Sequence, residues 1–328
     1  MKKSLLLLVA VLFIIQAQAQ QVQIVAQGSK TSFRGLSIKG KSIWVSGSGG
    51  TVGRSIDGGK NWQWQTVKGY EKTEFRDIEA LDEQTAVIMG IASPAYILKT
   101  SDGGQNWTKV YENRDTAMFL DAMAFKNVKE GLVIGDPINN KIFVAQTKDG
   151  GNSWQPTNQL SLPNAQPGEA FFAASGSNIT WSALGYCIVS GGTASRFFTR
   201  NKAVKLPTTQ GGQMTGANGI AAQGKMLLVA SGDYNNRSNP DSAFIYSHDL
   251  GKTWLLPIVT PAGYRSAVCF TGKKTAITCG ITGIDITSDG GVNWKKISEE
   301  GFNTCAYNKV DNTVYFAGNN GRVGKLQL

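Results

Sequence analysis

Three observations predict an all-β fold, a seven-bladed β-propeller of four-stranded antiparallel blades. An octapeptide recurs at blade-like spacing, the segments between copies are strand-like, and glycine is abundant while charge is sparse, with 39 glycines and 17% charged residues. The octapeptide reads SIDGGKNW at 55–62, TSDGGQNW at 100–107, TKDGGNSW at 147–154, SHDLGKTW at 247–254 and TSDGGVNW at 287–294. Its aspartates, Asp57, Asp102, Asp149, Asp249 and Asp289, lie 45, 47, 100 and 40 residues apart. A period in the forties is the length of a four-stranded blade, and the 100-residue gap is long enough to hide one eroded copy.

The chain opens with MKKSLLLLVAVLFIIQAQAQ: two lysines, an apolar run from Leu5 to Ile15, then small and polar residues. That layout is a secretory leader, too short for a comfortable membrane span. Residues 1–19 are therefore expected to be removed, leaving 20–328 as a single propeller domain that is exported, to a periplasm or the cell exterior. No Cys follows the cleavage point, which argues against a lipid anchor, and no other segment is long and apolar enough to span a bilayer.

Within each period a run such as FRDIEAL (75–81) is followed by TAVIMGI (85–91), AYILKTS (95–101), the aspartate turn and NWTKVYE (106–112). These are β-branched and aromatic runs bounded by turn residues, without helical periodicity. Seven such units are expected to open near Phe33, Phe75, Phe119, Phe171, Ala217, Tyr264 and Phe302. FFTRNKAVKLP (197–207) stands where the eroded octapeptide belongs. The last unit is one strand short, and the orphan run VQIVAQ (22–27) is expected to supply it, closing the ring and covering an exposed edge.

The octapeptide reads as a folding device. Its Asp accepts from backbone N–H groups of its own turn, the glycines permit positive φ, and Trp62, Trp107, Trp154, Trp254 and Trp294 cover the seams between sheets. Calcium binding is the sharper alternative, but each copy carries one carboxylate where a calcium loop needs several oxygen ligands.

This S/T-x-D-x-G-x-[TS/N]-W pattern resembles the Asp-box, or bacterial neuraminidase repeat, of sialidase-like propellers. FLDAMAF (119–125), GDP (135–137), PGEAFFAASGS (167–177) and GYRS (263–266) bring the chain nearer to exported bacterial propellers related to the photosystem II stability/assembly-factor family. The resemblance spans essentially the mature chain. It implies boxes between the third and fourth strands of each blade, away from the functional face, and a binding or assembly role.

Function is therefore sought on the opposite face. Aligning SFRGLSI, EFRDIEA and GYRSAVC stacks Arg34, Arg76 and Arg265 at one position, with Leu120, Phe172, Asn218 and Asn303 near it in the other blades. The three arginines flank one arc and, with Tyr264 and Asn303, are expected to form a cationic rim for a carboxylate or phosphate. The null expectation is pairing with Glu74, Asp77 or Glu169. The loops GDPINNK (135–141) and GDYNNRSNPD (232–241) bring Asp136 and Asp233 to the same face, and with Glu169 these are the candidate catalytic carboxylates.

The expected role is a binding or assembly scaffold that captures an acidic small molecule, glycan or protein partner. Glycoside hydrolysis is the alternative, through a carboxylate pair or a sialidase-like Tyr–Glu arrangement. The one histidine, His248, lies in a box, which excludes His-dependent catalysis and multi-His metal sites. No dinucleotide fingerprint or haem, flavin or copper ligand set appears, so no cofactor and no metal are expected. The formal charge of +10, reduced by two when Lys2 and Lys3 leave, is too diffuse for a nucleic-acid stripe. Cys187, Cys269, Cys279 and Cys305 read as buried small hydrophobes, with a Cys269–Cys279 hairpin disulfide left open. A monomer is expected.

Overall fold

A computed structural model describes residues 21–157, 162–200, 202–241 and 243–328. The proposed leader and the mature start at Gln20 lie outside them. Seven antiparallel sheets follow one another around a ring. The first blade is Phe33–Lys39, Ser42–Gly47, Thr51–Ser55 and Gln63–Thr66; the second is Phe75–Ala80, Ala86–Gly90, Ala95–Thr100 and Thr108–Asn113. The third is Leu120–Phe125, Gly131–Ile138, Lys141–Thr147 and Gln155–Pro156. The sixth is Ala267–Phe270, Ala276–Gly280, Gly283–Thr287 and Lys295–Ser298.

The seventh blade is Thr304–Asn308, Thr313–Ala317 and Val323–Gln327, completed by Gln23–Ala26 from the other end of the chain. Gln23 sits opposite Lys325 and Ile24 opposite Gly324, antiparallel. The orphan run thus closes the ring, supplying the strand that the last unit lacks.

The fourth blade departs from expectation. Its innermost strand is Ile179–Ser182, not a strand opening near Phe171, and it continues with Gly185–Val189, Arg196–Thr199 and Lys202–Lys205. The segment 197–207, where the eroded octapeptide belongs, contributes residues to both of these last two strands. The fifth blade has Thr215–Gln223, Met226–Asp233 and Phe244–Ser247, but its fourth strand shrinks to one bridge between Tyr246 and Leu255. Two short strands, Glu169–Ala170 and Gly191–Gly192, extend this sheet on its inner side.

Apolar side chains from facing sheets fill the seams, and blade-by-blade burial holds the ring together. Leu120, Met123 and Val133 of the third blade pack with Val87, Met89 and Ile97 of the second. Trp107 meets Trp44 edge-on across the first seam, and Trp294 packs on Phe244 across the fifth. Every box lies between the third and fourth strands. In the second, Asp102 Oδ1 accepts from Asn106 N at 3.0 Å and Thr100 Oγ1 at 2.8 Å, while Oδ2 accepts from Asn106 Nδ2 at 2.8 Å. Donation from its own turn holds the Asp102 carboxyl down at about 2, and Asp57 likewise. Its carboxylate oxygens are occupied by the turn, as the structural reading of the repeat requires.

Cys187, Cys269, Cys279 and Cys305 are free thiols. Cys269 faces Ile277 and Cys279 faces Ala267, so the two lie diagonally in their hairpin, unbridged. Among the described residues no helix is long and apolar enough to cross a membrane.

Candidate functional site

In four blades a β-bulge in the innermost strand sets one extra side chain on its inner side. The register slips between Phe33 and Gly35, Phe75 and Asp77, Leu120 and Ala122, and Ala217 and Gly219. The extra residues are Arg34, Arg76, Asp121 and Asn218, so the third blade carries Asp121 rather than Leu120 at the bulge, and both are fully buried. Asn303 occupies the corresponding place in the seventh blade, but it is buried and donates to Phe33 O at 2.8 Å instead of facing the cavity.

Arg265 does not belong to this set. Its N–H donates to Ser231 O of the preceding blade, as Phe33 N does to Gly318 O, Leu120 N to Ile91 O and Phe302 N to Gly280 O. The arginine thus fills the buried hydrophobic position, one residue before the bulge, and Ser266 takes the channel position. Arg265 is wholly buried and salt-bridged to Asp285, donating from Nε at 2.7 Å, with Nη1 on Tyr264 O at 2.8 Å. It forms no part of a rim.

The channel is crossed by Phe171–Ser177, the segment ahead of the fourth blade. This strap touches every other blade. Phe171 N donates to Asp136 Oδ1 at 2.9 Å in the third, Arg76 Nη1 donates to Ala173 O at 3.5 Å, and Arg34 Nη1 donates to Ala174 O at 3.2 Å. Ser175 Oγ donates to Ser266 O at 2.7 Å, Thr304 Oγ1 donates to Ser175 O at 3.2 Å, and Ile220 N donates to Ser177 O at 2.8 Å. Gly176 has φ +69°, and a Cβ there would lie 2.4 Å from Asp77 Oδ1, so only glycine lets the strap settle on the second blade. The root of the strap is clamped by Glu169, which is buried and accepts from Arg196 Nε at 2.9 Å and Gln166 N at 2.8 Å.

Above the strap is a cavity of 390 Å³ lined by Arg34, Arg76, Phe119, Asp136, Ala170–Ala174, Met214, Asn218, Tyr234 and Tyr264. Arg76 is neutralised by Glu74, 2.6 Å from Nη2. Among the described residues Arg34 has only the neutral carbonyl of Ala174 as a hydrogen-bond partner. Burial, and then the neighbouring Arg76, press its pKa below the ordinary arginine value, so the charge is held at a cost that an anion would relieve. Tyr264 donates to Asn218 Oδ1 at 3.1 Å and packs edge-on against Tyr234, giving the site an aromatic wall.

Of the three candidate carboxylates only Asp136 lines this cavity; its carboxyl is raised by burial and eased by the Phe171 amide. Asp233 lies outside the lining and accepts from Asn235 N at 2.8 Å as a turn former, and Glu169 is consumed by Arg196. Among the described residues no pair of acids lines the cavity. Sequence reasoning missed Phe119, Met214, Tyr234 and the strap itself. It also missed Asp121, which is wholly buried and whose carboxyl is pushed far up by burial and then by Asp136, against the opposing Arg76 charge and the Ala173 and Asp136 amides. The alternating pattern around FLDAMAF held the signal for Asp121, had the bulge been recognised.

Comparison with known proteins gives a consistent picture. Residues 63–180 match the family described as photosynthesis system II assembly factor YCF48. The photosystem II assembly lipoprotein Ycf48 of Synechococcus sp. (strain CC9902) is 24% identical over 255 residues, covering 76% of this chain and 70% of the relative. Among solved structures, YCF48 bound to D1 peptide superposes with a TM-score of 0.66 at 15% identity, over 96% of both chains. YCF48 from Cyanidioschyzon merolae gives 0.65 at 15% identity, over 93% of this chain and 98% of that one. The GH74 enzyme of Niastella koreensis gives 0.60 at 14% identity, over 92% of this chain and 53% of that one. At such identities these structures speak for the fold alone.

Proposed function

Because the chain is a BNR-type propeller related to the photosystem II assembly factor, we propose that it is a binding or assembly scaffold. Its cavity captures an acidic segment of a protein partner. The single observation that carries this reading is Arg34, a partly buried guanidinium with no carboxylate partner among the described residues, at the wall of a 390 Å³ cavity. Arg76 lies beside it, and Tyr234, Tyr264, Phe119 and Phe172 supply apolar surface for the atoms flanking the acid. A solved relative whose structure holds a bound D1 peptide supports a peptide rather than a small molecule as the ligand.

The protein works outside the cytoplasm, as a single mature domain beginning at Gln20. The leader-like composition of residues 1–19 and the lipoprotein relative support this. Glycan cleavage gains no support, since Asp136 is the one candidate carboxylate at the cavity.

The test is fluorescence anisotropy with an aspartate-containing peptide and its asparagine counterpart. Binding is expected only for the acidic peptide and is expected to be abolished in Arg34→Ala/Arg76→Ala. Equal binding by the asparagine peptide, or by the double variant, would sink the proposal. N-terminal sequencing of the fractionated protein checks the compartment and the start at Gln20.

A further inference from the structure

We propose a second ligand site, at the seam between the third and fourth blades, that takes a small ring-bearing carboxylate. It lies on the box-bearing face, away from Arg34, and it exists because the fourth blade has no Asp-box.

The other seams supply the comparison. The boxes of the second, third and sixth blades lay their second glycine on the preceding blade, over one residue of that blade's second strand, while Gly251 of the fifth lies over Phe197 in the third strand of the fourth. A Cβ on Gly104 would stand 3.2 Å from Trp44, one on Gly151 2.9 Å from Val87, and one on Gly291 2.7 Å from Leu228. Beside Trp44 and Val87 a cationic side chain of the third strand grips the arriving turn. Arg54, opposite Trp44, donates to Gly103 O at 3.5 Å, and Lys99, opposite Val87, donates to Gly150 O at 2.8 Å. The register places Leu132 and its cross-strand partner Gln146 at these two positions in the third blade. In the fourth blade the third strand ends at Thr199 and the fourth begins at Lys202, and among the described residues no box turn settles on them.

What remains is a cavity of 290 Å³ over Leu132. Its far wall is Trp181 and Tyr186, directly opposite each other in the fourth blade, with Trp181 fixed by donation from Nε1 to Ala124 O at 3.2 Å. Lys126, Lys148 and Arg200 stand around it, and the one lining acid, Glu130, pairs with Lys126 at 3.3 Å. Lys148 and Arg200 have no ion-pair partner among the described residues, and Gln146 makes no side-chain hydrogen bond among them. An apolar floor, a flat aromatic wall and two unpaired cations fit a ring that carries a carboxylate. The volume suits a single small ring, at the lower end of ligand pockets. A uronic acid and an aromatic acid share this chemistry.

The experiment uses the mature chain, with galacturonate and 4-hydroxybenzoate as ring acids and galactose, phenol and acetate as controls, by saturation-transfer NMR and calorimetry. At least one ring acid is expected to bind at millimolar concentration or below, and which one does separates the two sources. Its affinity is expected to fall by about tenfold or more in Lys148→Ala/Arg200→Ala and in Trp181→Leu, and to stay unchanged in Arg34→Ala. Both cations are exposed, so the double variant folds; Trp181→Phe, which keeps a flat ring, is expected to retain binding. Failure of both ring acids, equal binding of acetate, or unchanged affinity in the double variant would overturn the proposal. Because Arg34→Ala reports on the other face, failure here leaves the partner-binding reading standing.

Discussion

Arg34 Nη1 donates to the carbonyl of Ala174, 3.2 Å away, and so joins the first blade to the strap that crosses the channel. The same guanidinium carries the charge of the cavity left without a carboxylate. Its planar fork allows both tasks, because one N–H holds the strap while others remain for a ligand. Arg34→Lys keeps the charge but loses the fork. It is expected to leave the unfolding midpoint nearly unchanged while weakening the acidic peptide by about tenfold. Anisotropy and urea titration on one preparation check both; undiminished affinity would mean that the bidentate geometry is irrelevant.

Arg265 makes the opposite prediction. Its charge is wholly buried and balanced by Asp285, with Thr282 and the Tyr264 carbonyl completing its donors. Removing one partner of such a pair strands the other charge and typically costs about 3–5 kcal/mol. Arg265→Ala is expected to lose about that much stability by denaturant titration. The paired replacement Arg265→Met/Asp285→Leu is expected to recover most of it. If Arg265→Ala unfolds at the wild-type midpoint, the burial argument fails.

Proton linkage gives a stability profile that tilts downward with pH. Burial raises the Glu79 carboxyl to about 7, against the opposing charge of Lys39 and the Ser37 hydroxyl, and burial raises its neighbour Asp77 as well. A raised carboxyl means that the folded state holds the proton more tightly than the unfolded chain. That contribution is full below the ordinary Glu value of about 4.3 and is lost as pH rises through the folded value of about 7. The box aspartates act in the other direction: with Asp57 and Asp102 held at about 2, their contribution disappears as pH falls toward that value. Stability is expected to decline between about pH 5 and about pH 8, and Glu79→Gln to flatten that slope. Urea midpoints across this range are the measurement; an unaltered slope in the variant would remove Glu79 from the account.

The boxes made the fold legible, since a repeated turn with one Trp reports blade number and phase without tertiary information. Ring closure was legible for a similar reason, because the count of strands left the last unit one short and one run at the other end without a partner. The site was legible only where local pattern carried it. Arg34 and Arg76 follow a Phe that pairs across to a glycine, and the bulge turns them to the channel. GYRS looks the same by eye, but there the arginine itself occupies the Phe position, and only the interblade bond to Ser231 reveals the one-residue offset. The strap was invisible for a different reason. PGEAFFAASGS reads as another strand opening, and its course is set by contacts with all the other blades, information that no local window contains.

Ring closure supplies the last prediction. Gln23–Ala26 forms the outer strand of the seventh blade, and Val22 and Ile24 pack with Phe302, Phe316 and Leu326. Deleting residues 20–27 strips this packing and exposes the edge of Val323–Gln327, whose unpaired N–H and C=O groups become a template for other chains. The loss of two partly buried aliphatic side chains and a row of ladder bonds is expected to cost at least about 2 kcal/mol. The truncated chain is expected to associate at concentrations where the intact one does not. A synthetic peptide of residues 20–30 added in trans is expected to restore both the midpoint and the monomer, since it reinstates the same strand. Light scattering and thermal unfolding follow the two effects. A truncated chain that stays monomeric with an unchanged midpoint would show that the terminal strand is dispensable, and that the first and seventh blades hold the ring through their facing side chains alone.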